Sequence, residues 1–306
     1  MEQRSDEVAI EFPFFRIYKD GRIDRFFGDE IVPPSPDSAT AARSKDVVIS
    51  PESGLSARLF IHQIPDPTRK LPLLVYLHGG AFCVGTPFSP TYTGHASSLA
   101  AESNAIVLSV HYRRAPEHPL PIAYDDAWEA LQWAVVHSGG GGGPEPWLNQ
   151  HADFDRVFVG GDSAGANIAH YVVLRAGVDG LNGPRIAGLV LVHPFFGNDK
   201  PNRLLEIIFP SRSVPNDPRV NPGFDPDLSR LGCGRVLIFV AEKDFLKDRA
   251  LAYYEALKKS GWIGLVELVE YEGVDHVFHL FSPKCEQAQA LVKKVSSFLN
   301  QAQAHI

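Results

Sequence analysis

Cysteine is scarce in this chain: Cys83, Cys233 and Cys285 are the three it has in 306 residues. An odd, sparse set excludes a disulfide framework, and none falls in a C-x-x-C pair. Such cysteine usage fits a reducing compartment. Basic charge is in deficit too. Lys and Arg number 29 against 36 Asp and Glu, a formal net charge of −7. With no basic runs, neither a nucleic-acid footprint nor attraction to an anionic membrane surface is indicated. No apolar run approaches the length of a membrane span. The opening "MEQRSDEVAIEF" carries charge where a signal peptide would have its apolar stretch. Repeats at a solenoid period are absent. What remains is a soluble intracellular protein, expected in the cytoplasm, with a small molecule as its partner.

The remaining composition is ordinary for a globular protein, 44% hydrophobic and 21% charged. A chain of this length buries a large core without covalent staples, and residues 1–306 read as one α/β domain. Short apolar, β-branched runs alternate with helix-period segments. "DVVIS" and "SARLFIH" (56–62) are expected to form a hairpin across the turn-forming "PESG". "LPLLVYLH" (71–78), 105–112, 155–161, 186–194, 234–242 and 265–273 read as further strands. The nearly continuous apolar run of 71–78 suits a strand covered on both faces. Helices are expected over 122–137, 164–176, 247–260 and 283–299, the last with Ser282 as N-cap and Pro283 at its first position. Alternating strands and helices predict a mostly parallel sheet, doubly wound with helices on both faces. Three segments fall outside this pattern. Residues 1–45 carry a hairpin signal at Asp20-Gly21, "SGGGGGPEP" (138–146) reads as a flexible loop, and 197–231 is proline-rich around one short helix-like run, "RLLEIIF".

Chemistry concentrates in "VFVGGDSAGANIAHYVV" (157–173). Strand residues run into Gly161-Asp162-Ser163-Ala164-Gly165, and a helical pattern starts at once. This is G-x-S-x-G between a strand and a helix, the context of a nucleophile elbow. A turn that tight needs small flanking residues, and the helix N-terminus beneath favours developing negative charge. A phosphate loop would use the same glycines, but Ala166-Asn167 stands where Lys-Ser/Thr is required. The glycine-rich "YLHGGAFCVG" (76–85) follows the strand 71–77. Its backbone N–H groups, with that of Ala164, suit an oxyanion hole.

A triad acid belongs just past the end of its strand. Asp244 is there, whereas Glu242 reads as strand and Asp248 as helix. The base follows in "EGVDHVFHLF" (272–281). His276 is 32 positions after Asp244, in the loop beyond the last strand, and completes the order Ser…Asp…His of α/β-hydrolases. His279 reads as a partly buried packing residue. His151 and His170 precede Asp244 and break the order.

"HGGAF", "HYRRAPEHPLPIAYDDAWEALQW", "GDSAGANIAH" and "DH-x-F" together resemble plant carboxylesterases of the hormone-sensitive-lipase-like group. The opening "FPFFRIYKDGRIDRF" resembles that family's N-terminal cap, so the likeness spans nearly the whole chain. It implies an α/β-hydrolase fold with an eight-stranded, mostly parallel sheet and a small cap built from 1–45 and 197–231. It further implies Ser163 as nucleophile, His276 as acid and base, Asp244 as its orienting partner, and oxyanion donors among Gly79, Gly80, Ala81 and Ala164. No metal or organic cofactor is required. Two departures stand out. Ala81 replaces the third glycine of the usual His-Gly-Gly-Gly, which keeps the N–H but adds a methyl beside the acyl group. The stretch between "HPFF" and "RVLIFV" is short for the family, so a more open pocket is expected. The expected activity is hydrolysis of small uncharged carboxylic esters. The same scaffold in 2-hydroxyisoflavanone dehydratases leaves a lyase as the alternative. Gibberellin receptors replace the triad histidine, so His276 argues against a receptor.

Overall fold

The computed structural model describes residues 6–35, 42–62, 68–139, 142–197, 203–209 and 217–301. Parts of the two expected cap segments, and residues 140–141 of the glycine loop, lie outside them. Three short strands come first: β1 (Val8–Phe12), β2 (Phe15–Tyr18) and β3 (Ile23–Arg25). They form a separate antiparallel sheet. Its second turn holds Gly21 at φ 82°, the left-handed geometry that the Asp-Gly pair allows. Then follow β4 (Arg43–Ser50), β5 (Leu55–Ile61), β6 (Leu71–Leu77), α1 (Pro90–Ser103), β7 (Ile106–His111), α2 (Ile122–Val135), α3 (Pro146–His151), β8 (Ala152–Asp162) and α4 (Ala164–Val178). The chain continues through β9 (Ile186–Val192), α5 (Arg203–Ile208), β10 (Arg235–Ala241), α6 (Lys247–Lys259), β11 (Leu265–Tyr271), α7 (Phe278–Phe281) and α8 (Glu286–Asn300).

The main sheet has eight strands in the order β11-β10-β9-β8-β6-β7-β5-β4. β5 runs antiparallel to both neighbours, and the other pairings are parallel. β6 is buried along its whole length, because alternate residues enter two cores. Leu73, Val75 and Leu77 pack with residues of α2, α4 and α6, whereas Leu74 and Tyr76 pack with residues of α1 and α8. Every second side chain of a strand points to the same face, so a strand covered on both faces must be apolar throughout. The α/β-hydrolase expectation of eight mostly parallel strands with helices on both faces is therefore what the chain adopts. No helix among the described residues is long and apolar enough to cross a membrane.

Some local expectations need correction. α8 begins at Glu286 with Cys285 as N-cap, its Sγ accepting the Ala288 N–H at 3.4 Å. Ser282 and Pro283 instead belong to the turn between α7 and α8, with the Cys285 N–H on the Ser282 carbonyl. α2 gives way after Val135 to a 3-10 turn over Val136–Ser138. α1 was not anticipated, since its many small residues carry little apolar periodicity; Ser89 capping the Tyr92 N–H and Pro90 at the first turn were its available signal. The C-terminal half of the glycine-rich loop is held rather than free. Asn149 exchanges two hydrogen bonds with Gly143 at 3.0 and 2.8 Å, and the Glu145 N–H donates to His137 Nε2 at 3.0 Å.

Candidate active site

Ser163 stands at φ 51°, ψ −118° between β8 and α4, outside the regions an L-residue ordinarily occupies. The neighbouring chain holds it there. Its N–H donates to the Val192 carbonyl and its carbonyl accepts from the Phe195 N–H, both at 2.9 Å. The glycine spacing has a steric cause. A Cβ at Gly161 would lie 2.4 Å from the Leu77 carbonyl oxygen, and one at Gly165 would lie 2.0 Å from it. The elbow thus presses directly on the end of β6.

Asp244 follows β10 and is buried, as the last turn before α6 closes over it. Its Oδ1 accepts the Leu246 N–H at 2.8 Å, and its Oδ2 lies 2.8 Å from His276 Nδ1. His276 Nε2 is 2.9 Å from Ser163 Oγ. Residues 113 positions apart in the chain thus meet in one line of hydrogen bonds. Of the other acids, Glu242 is exposed and accepts the Gly273 N–H at 2.7 Å, while Asp248 is exposed in the first turn of α6. His279 is more deeply buried than its sequence context suggests, at 2% exposure. It sits in α7 against His95 and His193, with ring centroids 4.8 and 5.7 Å away. Burial holds its basicity well below the ordinary range.

The glycine-rich turn after β6 takes positive φ at Gly80 (104°), Ala81 (54°) and Phe82 (63°). Such backbone persists only where its surroundings enforce it. Ala115 donates its N–H to the Phe82 carbonyl at 2.9 Å, Arg25 Nε to the Cys83 carbonyl at 2.6 Å, and Arg114 Nη1 to the Gly85 carbonyl at 2.9 Å. One expected donor drops out. The Gly79 N–H is directed to Tyr92 Oη at 2.8 Å and to Asp162 Oδ1 at 3.2 Å. Gly80 and Ala81 line the cavity beside Ser163, and Ala164 opens α4, where backbone N–H groups have no intrahelical partner.

Asp162, immediately before Ser163, is a functional neighbour that sequence reasoning passed over. Its carboxylate accepts the hydroxyls of Tyr76 at 2.8 Å and Tyr92 at 2.9 Å, besides the Gly79 N–H. Burial pushes it up to about 6, against the pull of these three donors. Burial likewise raises Tyr76 and Tyr92 well above the usual tyrosine range, so both remain donors. The network ties the end of β8 to the glycine turn. Its sequence signal was a carboxylate placed where an apolar strand ends.

A cavity of about 450 Å³ opens over Ser163 and His276. Its wall is largely aromatic, with Phe12, Phe14, Phe27, Phe195, Phe245 and Phe281. Three of these, Phe12, Phe14 and Phe27, come from the N-terminal sheet region, and Leu204 of α5 adds to the wall. His193, Asp244 and His276 bring possible metal-binding atoms within 4.8 Å of one another. The Asp244 and His276 atoms already bond to each other, and His193 Nδ1 accepts the Val277 N–H at 2.9 Å. The set fits a hydrogen-bonded relay better than a cation.

Comparisons with known proteins agree with this architecture. Residues 74–280 match a family described by its alpha/beta hydrolase fold. Among curated relatives, a 2-hydroxyisoflavanone dehydratase of Glycyrrhiza echinata is 43% identical, covering 96% of this chain and 97% of its own. Probable carboxylesterase 5 of Arabidopsis thaliana is 44% identical, covering 96% and 98%. Among solved structures, an esterase of Pyrobaculum calidifontis superposes with a TM-score of 0.71 at 28% identity, over 84% of each chain. The chain therefore belongs to the α/β-hydrolase family, within the branch that holds the plant carboxylesterases.

Proposed function

We propose that this protein is a serine carboxylesterase that hydrolyses small uncharged esters through an acyl-enzyme. The observation that carries this reading is the Ser163–His276–Asp244 line, at 2.9 and 2.8 Å, on the floor of an apolar cavity. His276 Nε2 takes the Ser163 proton as Oγ attacks the ester carbonyl. Asp244 holds the imidazole by its Nδ1–H and stabilises the imidazolium that forms. The tetrahedral oxyanion is received by the N–H groups of Ala164 and of Gly80 or Ala81, each such donor contributing roughly 10²–10³ in rate. His276 then protonates the leaving alcohol, and a water activated by the same imidazole releases the acid. No step needs a metal or organic cofactor.

The cavity supports an uncharged substrate. Asp162 and His276 are its titratable members apart from Tyr92 among the lining residues, and the carboxylate of Asp162 is already taken up by tyrosine hydroxyls. The walls contributed by Phe12, Phe14 and Leu204 support reading 1–45 and 197–231 as a cap on a single domain. The methyl of Ala81 narrows the space beside the acyl carbon. Three free cysteines support a reducing, cytoplasmic setting, which imaging of a fluorescent fusion checks.

Ser163→Ala is the primary test. Turnover of a short-chain aryl ester is expected to fall by a factor on the order of 10⁶ in kcat, and wild-type rates in that variant would overturn the mechanism. A second reading, a lyase, is favoured by the similarity to the Glycyrrhiza echinata dehydratase. Incubating the protein with a 2-hydroxyisoflavanone separates the two: loss of water without ester turnover would replace the esterase reading. The receptor reading has His276 against it, since a binding protein has no need of the imidazole bonded to both Ser163 and Asp244.

A further inference from the structure

We propose that His193 is a positioning residue that sets the distance between the Ser163 hydroxyl and the His276 imidazole. This rests on the esterase reading of those two residues. The turn that follows β9, residues 192–195, touches both partners. On one side it fixes the nucleophile: the Val192 carbonyl accepts the Ser163 N–H, and the Phe195 N–H donates to the Ser163 carbonyl, each at 2.9 Å. On the other side it fixes the base. His193 Nδ1 accepts the N–H of Val277, the residue directly after His276, at 2.9 Å. The His193 N–H donates to the Phe239 carbonyl of β10 at 3.0 Å, which anchors the turn to the strand that leads to Asp244.

Backbone geometry points the same way. His193 stands at φ 47° and Val277 at φ 46°, both left-handed and both with a side chain. That conformation is uncommon for histidine and costly for a β-branched valine. Two such residues joined by one buried hydrogen bond form a clamp rather than an accident of packing. His193 is 1% exposed, and burial pushes it down to about 3. The imidazole is therefore neutral at working pH. With Nδ1 accepting, Nε2 carries the proton, and its ring lies 5.9 Å from that of His276. Loss of the acceptor at Nδ1 frees the Val277 N–H and lets the His276 loop relax. Misplacement of a reacting group by about 1 Å costs on the order of 10²-fold in rate.

The test compares three variants. Asn carries an acceptor two bonds beyond Cβ, as Nδ1 is; Gln carries it one bond further out; Leu carries none. His193→Asn is expected to keep kcat within about threefold of wild type. His193→Gln and His193→Leu are expected to lose roughly tenfold to hundredfold in kcat on a short-chain aryl ester with KM within about twofold. Melting temperatures are measured alongside, and if the leucine variant does not fold, the Asn and Gln variants decide. Equal kcat in these two, or a loss that appears in KM alone, overturns the proposal. The outcome is separable from the esterase reading, because Ser163→Ala tests that reading with His193 intact.

Discussion

Acidification from pH 8 to pH 5 is the perturbation that the buried imidazoles amplify. His78, His95, His170, His193 and His279 are each 7% exposed or less. Burial pushes His78, His170 and His193 down to about 3, His95 to about 4, and His279 well below the ordinary range. In the unfolded chain each titrates near 6.5. Between pH 6.5 and about 4 the unfolded state therefore holds more protons than the folded one, and stability falls as the pH falls. Relative to pH 8, each imidazole held at about 3 or 4 costs about 2 kcal/mol at pH 5, or about 8 kcal/mol for those four, and His279 acts in the same direction. Asp162 acts in the opposite sense. Its raised value, about 6, lets the folded state bind a proton before the unfolded chain does, which offsets on the order of 1 kcal/mol at pH 5. The difference is comparable to a whole folding free energy of about 5–15 kcal/mol, so cooperative unfolding is expected between pH 6 and 5. Urea unfolding followed by tryptophan fluorescence at pH 8, 7 and 6 measures the slope. His170→Phe is the matched control, because His170 packs edge-on against Phe196 and Tyr253, at 5.8 and 5.0 Å, away from Ser163. That variant is expected to lose one imidazole's share of the slope, roughly half a proton or somewhat under 1 kcal/mol between pH 7 and pH 6. Equal unfolding free energies at pH 8 and pH 6, or an unchanged slope in His170→Phe, would refute the reasoning.

Two further perturbations separate scaffold from pocket. Gly165→Ala puts a methyl 2.0 Å from the Leu77 carbonyl oxygen, so the elbow must move. A stability loss of about 1–3 kcal/mol with near-complete loss of ester turnover is expected, and a variant with wild-type kcat would contradict the packing argument. Phe245 is 69% exposed yet lines the cavity and lies 5.2 Å from the His276 ring. Phe245→Ala is expected to shift stability by no more than about 0.5 kcal/mol while raising KM for aryl esters severalfold. A drop in melting temperature with unchanged KM would assign Phe245 to the fold instead.

Legibility followed how local each constraint was. The elbow could be read because its demands fall on adjacent residues: Gly161 and Gly165 both face the Leu77 carbonyl, and the strand and helix that flank Ser163 show their periods directly. Asp244 and His276 could be read because each follows a strand with a clear apolar pattern. Gly79 was misjudged because its N–H is captured by Tyr92 and Asp162, partners 13 and 83 positions away. His279 and His276 look alike in a linear string, and α7 separates them by turning His279 into the core. The start of α8 was misplaced because Ser-Pro is a strong helix-start signal, but here that pair serves the turn before it.

The sequence by itself determined the succession of the eight main-sheet strands, the strand–turn–helix around Ser163, and the chain order of Ser163, Asp244 and His276. These depend on side-chain period, on steric limits within a few residues, and on position relative to a strand end. Tertiary structure alone decided which backbone donors remain open, which phenylalanines wall the cavity, and that His193 joins the turn beside Ser163 to the loop of His276. Those depend on contacts between residues such as Val277 and His193, 84 positions apart, and a contact of that kind leaves no mark on the local pattern of either partner.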